Sequence, residues 1–387
     1  MEDEYLKIQG MTVGYHGKPL ICDICTEIKQ GEILTLIGPN GAGKSTILKS
    51  ITRHLKMLHG KVLIAEKNIS KMTNTEFAEK MAVVFTRRMK TELMTCRDVV
   101  ETGRYPYTGR LGILTKKDKL KVEEAMEAVH VSELANQSFQ AISDGQRQRI
   151  MLARAICQDP EVMILDEPTS FLDIHYKLEL LTILRKLAKE QKITVIMSLH
   201  EIDLAQKISD KILCVKGDRI FRYGKPEEVF EEEVIRELYE IDNGFYDPCF
   251  GSLELPRTEG EPGIFVISSG GTGIPVYRKL QKENIPFAAG ILYKNDLDYH
   301  LAKVLAAKVI EEEPFERISA RAYLEAKKMV EQSEMVIDAG VITGECNRKM
   351  EELLEEARMA GKLFKWQGKE TLKYFMSKRK ESQEVRR

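Results

Sequence analysis

Nine residues, Gly38-Pro39-Asn40-Gly41-Ala42-Gly43-Lys44-Ser45-Thr46, have the spacing of a phosphate-cradling loop, G-x-x-x-x-G-K-[ST]. Glycines let backbone N–H groups turn inward onto phosphate oxygens, and a following helix N-terminus adds a favourable dipole. Lys44 suits the β and γ phosphates of a nucleotide, and the Ser45 hydroxyl suits Mg²⁺. A second constellation is the apolar run Val162–Leu165 ending in Asp166 and Glu167. Asp166 suits a direct or water-mediated contact with Mg²⁺, and Glu167 suits the general base that polarises an attacking water. A phosphate loop and a strand ending in paired carboxylates together point to nucleotide hydrolysis.

These residues need a scaffold, and the hydrophobic periodicity supplies one. Strands are expected at Ile33–Ile37, Ala82–Phe85, Val162–Leu165 and Ile193–Leu199. Helices are expected at Ser45–His54, Lys119–Val129, Gln146–Cys157 and Leu178–Glu190. The alternation marks an α/β domain over residues 1–241. Residues 242–262, rich in Gly, Pro and acid, read as a linker. Residues 263–366 then read as a smaller, Rossmann-like α/β domain, and 367–387 as a basic tail. Regular segments in this part are Phe287–Tyr293, Ala302–Leu305, Ala320–Gln332, Met335–Asp338 and Arg348–Ala360. Its glycine-rich turn, Ser268–Pro275, leaves two readings open: an anion or small-ligand site shared with Asp296, Asp298 and Thr343–Asn347, or a docking and dimer-stabilising role.

The chain of 387 residues is 43% hydrophobic and 31% charged, which suits a normal core and excludes wholesale disorder. With 59 Lys and Arg against 60 Asp and Glu, a net charge of −1 argues against a dedicated nucleic-acid binder. The N-terminus, MEDEYLKIQG, does not read as a secretory signal. No apolar run approaches the roughly 18 residues needed to cross a bilayer. Seven scattered cysteines read as reduced thiols. Cys22 and Cys25 fall in an expected strand, where positions i and i+3 face opposite sides, so no metal or redox pair is expected.

The run Ala141-Ile-Ser-Asp-Gly-Gln-Arg-Gln-Arg149 resembles the signature motif of ATP-binding cassette (ABC) ATPases. Ser143, Gly145 and Gln146 match, whereas Asp144 stands where glycine is more usual. The helix they start carries Arg147 and Arg149, which suits a γ-phosphate. The resemblance spans about residues 4 to 240. It implies a RecA-like core with a helical subdomain, ATP and Mg²⁺ as cofactors, and a homodimer in which Ser143, Gly145 and Gln146 contact the partner's ATP. It further implies that Tyr15 stacks on adenine and that Pro168–Asp173 links the two sites, with Asp173 beside the nucleotide. His200 corresponds to the histidine that contacts the γ-phosphate and orients water. Thr86 stands where the family places a glutamine that touches Mg²⁺ and relays signals to the membrane partner.

Cys96–Tyr107, containing Gly-Arg-Tyr-Pro, resembles the membrane-contact segment of the importer branch that carries ferric siderophores, haem and vitamin B12. The resemblance thus implies a cytoplasmic ATPase, peripheral on the inner face of the cell membrane. It would power a permease supplied with cargo by a binding protein. Two other readings stand beside it: a soluble ABC ATPase without a permease, and an ATPase regulated by a ligand of the C-terminal domain.

Overall fold

The computed structural model describes residues 4–85, 93–109, 112–170, 172–368, 370–375 and 377. The chain divides into two compact units, Met1–Glu240 and Ile241–Arg387.

The first unit is built on a six-stranded sheet. From edge to edge its strands are Arg219–Gly224, Lys211–Lys216, Ile33–Ile37, Thr194–Ser198, Val162–Leu165 and Met81–Val84. All neighbours run parallel except the first pair. The three central strands are buried along their whole length, which is why they read as unbroken apolar runs rather than alternating ones. A second, antiparallel sheet has the order Lys18–Lys29, Glu4–Tyr15, His59–Ile64, Lys67–Asn68. Leu6, Ile24 and Val62 of this sheet share one core with Leu36, Ile164 and Ile196 of the first and with Ile47.

A helical portion completes the unit. Cys96–Glu101 and Lys116–Ala128 both pack on Asp144–Cys157. Each of these helices opens with a reciprocal capping box: Thr95 with Asp98, Thr115 with Asp118, Ser143 with Gln146. The Gly-Arg-Tyr-Pro segment lies beside them. Arg104 is buried there, bonded to Asp118 at 2.9 Å and to the Cys157 carbonyl at 2.7 Å. Gly103 packs so closely that a Cβ would lie 2.3 Å from the Arg154 carbonyl oxygen. Tyr105, by contrast, is exposed. The motif therefore splits into a structural half and a surface half.

The cysteine expectation needs correction. Cys22 and Cys25 are both exposed, not opposed, because the pairing of Lys18–Lys29 with Glu4–Tyr15 shifts register between Ile21 and Ile24. Asp23, at φ +52°, sits in that bulge and resets the alternation.

The second unit contains a five-stranded parallel sheet. Its order is Lys308–Glu312, Phe287–Tyr293, Ile264–Ile267, Met335–Asp338, Leu363–Lys365: third, second, first, fourth, fifth in chain order. Helices Ile274–Lys282 and Leu297–Leu305 cover one face, and Ala320–Gln332 and Lys349–Met359 the other. This is the doubly wound arrangement expected of a Rossmann-like domain.

Residues 242–262, expected to be a linker, instead hold a hairpin, Phe245–Asp247 with Ser252–Glu254. Tyr246 is 1% exposed, and the Asp247 carboxylate accepts N–H bonds from Cys249 and Phe250. The Gly, Pro and acidic residues there encode a tight turn. No helix among the described residues is long and apolar enough to cross a membrane.

Candidate functional site

The phosphate loop joins the buried strand Ile33–Ile37 to the helix Lys44–Ile51. Two glycines are dictated by close approach as well as by backbone angle. A Cβ on Gly38, at φ +144°, would lie 2.1 Å from the Val215 carbonyl oxygen, and one on Gly43, at φ +99°, 2.7 Å from Ile21 Cδ1. Pro39 and Ala42 close the loop through an N–H bond from Ala42 to the Pro39 carbonyl, while Asn40 and Gly41 form its exposed tip. Lys44 is 5% exposed, and its ammonium donates to the carbonyls of Gly38 (2.7 Å) and Pro39 (2.9 Å). Burial lowers its pKa, and the Glu167 and Asp166 carboxylates oppose that shift. The Tyr15 hydroxyl lies 3.2 Å from that of Thr46, which places the aromatic ring at the loop's edge.

The carboxylate pair sits at the end of the neighbouring strand Val162–Leu165. Ser45 donates to Asp166 Oδ1 at 3.0 Å, joining the loop to the first carboxylate. Glu167 lies half-buried with a left-handed backbone, φ +51°, unusual for a side chain without a local reason. His200 Nε2 stands 2.6 Å from Glu167 Oε1, and Ser170 donates to Oε2 at 3.3 Å. The structure thus links Tyr15 to the phosphate loop, the loop to Asp166, and Glu167 to His200, with both carboxylates near Lys44.

The remaining expected site residues lie elsewhere. Ser143, Gly145 and Gln146 start the helix Asp144–Cys157, with Ser143 exposed. Ser143 and Gln146 cap one another: Gln146 N–H donates to Ser143 Oγ at 3.3 Å, and Ser143 N–H to Gln146 Oε1 at 2.9 Å. Asp173 is exposed, and its carboxylate caps the helix Ile174–Gln191 by accepting from Tyr176 N–H. Arg147 and Arg149, expected to suit a γ-phosphate, are engaged by groups of the chain itself. Arg147 binds Asp144 and the Phe139 and Gln140 carbonyls, and Arg149 lies over the Tyr176 ring and donates to the His130 carbonyl. Arg147 is thus fastened within the helical portion, and Arg149 spans from it to the helix Ile174–Gln191. Thr86 lies outside the described residues.

Sequence reasoning missed two groups of this site. Ser198, 0% exposed, donates to Asp166 Oδ1 at 2.8 Å and accepts the Glu167 N–H at 2.9 Å. Its signal was a hydroxyl at the end of the buried strand stretch ITVIMS. Glu201, next to His200, accepts from Thr169 and pairs with Lys177, tying the segment after the carboxylates to the segment after the histidine.

In the second unit, the glycine turn is already engaged from within. Gly270 N–H donates to the Asp296 carboxylate, and Gly273 N–H to that of Asp298, which is 0% exposed. Burial raises the Asp298 pKa, and the Gly273 N–H works against that shift. The anion reading of this turn therefore finds these donors taken by the chain's own carboxylates.

A parallel α/β core with a phosphate loop, a strand-end carboxylate pair and a facing histidine defines a P-loop nucleoside triphosphatase. The comparisons narrow the class. The ABC transporter family model matches residues 21–170, and the MJ0874 family model matches residues 287–381. An ABC transporter ATP-binding protein of Methanocaldococcus jannaschii is 44% identical over 288 residues, 74% of this chain and 99% of that protein. A petrobactin import ATP-binding protein of Bacillus anthracis is 35% identical over 66% of this chain and 94% of its own. A cobalamin import ATP-binding protein of Halobacterium salinarum is 30% identical over 320 residues, 81% of this chain and 80% of its own. A solved dimeric ATP-binding cassette, bound to ADP and Pi, superposes with a TM-score of 0.51 at 25% identity, over 57% of this chain and 98% of its own. The chain belongs to the ABC transporter ATP-binding proteins. It binds ATP and is an ATPase.

Proposed function

We propose that this protein is the ATP-hydrolysing subunit of a membrane importer for metal chelates, with cobalamin as its cargo. It works as a homodimer beneath a permease, on the inner face of the cell membrane. A binding protein delivers the cargo. The observation that carries the ATPase reading is the convergence of Ser45 on Asp166 and of His200 on Glu167 beside the phosphate loop.

Lys44 and the loop N–H groups hold the β and γ phosphates, and Tyr15 stacks on the adenine. Ser45 and Asp166 present two hard oxygens 3.0 Å apart, while no cluster of three or more His, Cys, Asp or Glu forms a metal site among the described residues. That set suits Mg²⁺, which takes few protein oxygens beside phosphate and water. Held by Ser45 and Asp166, such an ion would supply positive charge to offset that on the transferred phosphoryl group. Glu167 accepts the proton of the attacking water, and His200 shares Glu167 Oε1 and orients that water toward the γ-phosphate. Ser143, Gly145 and Gln146 complete the partner's nucleotide site, and Asp173 stands beside the nucleotide.

Cobalamin is favoured over a siderophore by the extent of the halobacterial match. Its 320 matched residues run well past the 240 residues of the first unit, whereas the petrobactin relative's 257 pass that length by little. Uptake of labelled cobalamin and of a ferric siderophore, compared in cells carrying wild-type protein or Lys44→Ala, tests the proposal. Loss of cobalamin uptake alone supports it. Loss of siderophore uptake alone reassigns the cargo, and unchanged uptake of both removes the importer reading.

A further inference from the structure

Ser198 lies at the end of a central strand, next to the strand that ends in the carboxylate pair. The parallel register pairs Leu165 with Met197, so Asp166 and Ser198 are the next positions along the same ladder. Asp166 N–H continues the sheet by donating to Val84 on the other side. Glu167 N–H leaves the ladder and goes to the Ser198 hydroxyl instead, at 2.9 Å. The hydroxyl has one proton, and it points to Asp166 Oδ1 at 2.8 Å. One buried side chain thus closes a ring with the backbone of one carboxylate residue and the side chain of the other.

This ring explains the backbone at Glu167. A left-handed conformation is strained for a non-glycine residue, and a turned N–H left without an acceptor adds to that cost. The Ser198 oxygen is the acceptor the turned N–H requires. With the backbone so held, the Glu167 carboxylate is delivered to His200. Asp166 Oδ1 meanwhile receives hydroxyls from both Ser198 and Ser45.

We infer that Ser198 is a positioning residue for ATP hydrolysis, acting on Glu167 through its backbone N–H. The inference rests on the reading of Glu167 as the general base. Loss of the hydroxyl lets the Glu167 backbone relax and moves the carboxylate off the water. Nucleotide binding, which depends on the loop and Tyr15, is left in place.

The test uses the full chain with four substitutions: Ser198→Ala, Ser198→Thr, Ser198→Val and Glu167→Gln. Thr and Val add the same bulk at this buried position and differ in the hydroxyl, so their comparison cancels packing. Steady-state ATPase kcat and KM, ATP affinity and Tm are measured for each. Ser198→Val and Ser198→Ala are expected to lose kcat tenfold or more relative to Ser198→Thr, with KM and ATP affinity within about threefold, the split that marks an interaction acting in the chemical step. In a Glu167→Gln background, removing the hydroxyl should lower the residual rate no further. Equal kcat for the Thr and Val variants overturns the inference, even if Tm falls. An additive loss in the Glu167→Gln background also overturns it, because Ser198 would then act by another route. A normal rate for Glu167→Gln alone instead removes the base reading beneath it.

Discussion

The buried ion pair of the helical portion is the place where one substitution should do the most damage outside the nucleotide site. Arg104 and Asp118 have side-chain exposures of 5% and 6%. Asp118 Oδ1 accepts from Arg104 Nε, and Oδ2 from the Thr115 N–H and hydroxyl at 2.9 and 2.6 Å. Asp118→Asn keeps the shape, removes the charge, and turns one acceptor into a donor facing donors. Removing one partner of a buried pair costs about 3–5 kcal/mol. Arg104 keeps the Cys157 carbonyl and its stack on Tyr107, at 3.9 Å from the ring centre, so the low end, about 3 kcal/mol, is expected. Followed by far-UV circular dichroism in urea, the first-unit transition should move down by about 1 M, taking a slope of about 3 kcal/mol per M. Thr115, chiefly, and Arg104 hold the Asp118 carboxyl below its usual range against the effect of burial. A depressed carboxyl stabilises fully above its unfolded value, about pH 4, and ceases to do so as pH falls through the folded value. The gap between wild type and variant should therefore close in acid. A loss below about 1 kcal/mol at neutral pH, or a gap that widens on acidification, would refute the reasoning.

Three further outcomes follow from the same kind of contact. Gly103→Ala places a methyl against the Arg154 carbonyl at 2.3 Å, so a loss of about 1–3 kcal/mol is expected in the same urea assay. Asp298→Ala should destabilise the second unit by about 1–3 kcal/mol by orphaning Gly273 N–H, whereas Asp298→Asn keeps an acceptor. The folded Asp298 pKa is raised, so its contribution is present below the ordinary carboxylate pKa and declines as pH rises. Asp298→Asn should accordingly gain on wild type as pH rises above about 4. The chain's one tryptophan, Trp366, packs against that unit's core and reports the transition by fluorescence. Because the first unit has a core of its own, a chain ending at Glu240 is expected to stay soluble and bind ATP in a filter or dialysis assay; an insoluble product would move the boundary.

The nucleotide site was legible because its residues are local to one strand end each. Residues 38–46, Asp166 with Glu167, and His200 all close buried apolar strands, and burial on both faces makes those strands easy to read. Ser198 was not legible as a site residue, since its partners lie 32 and 31 positions away and only the parallel register brings them together. The edge strands Lys308–Glu312 and Leu363–Lys365 were missed for the opposite reason. Both carry charged residues, as edge strands do, and so lack an apolar signature. The hairpin within residues 242–262 was hidden by its own turn residues, and the cysteine pair by a bulge that alternation alone does not anticipate. Arg147 and Arg149 read as suited to a phosphate; in the structure Arg147 donates to Asp144 and two carbonyls, whereas Arg149 donates to the His130 carbonyl and leaves its Nε without a hydrogen-bond partner among the described residues.

The central claim is that this chain closes as a dimer on ATP and reopens when Glu167 drives hydrolysis. Glu167→Gln keeps the side chain's size and its place beside His200 while removing the base. Sizing chromatography of this variant with and without MgATP, alongside its steady-state rate, tests the claim most directly. The expected result is a stable ATP-bound dimer whose hydrolysis is slowed by about 10²-fold or more. A variant that stays monomeric in MgATP and hydrolyses at the wild-type rate would contradict it.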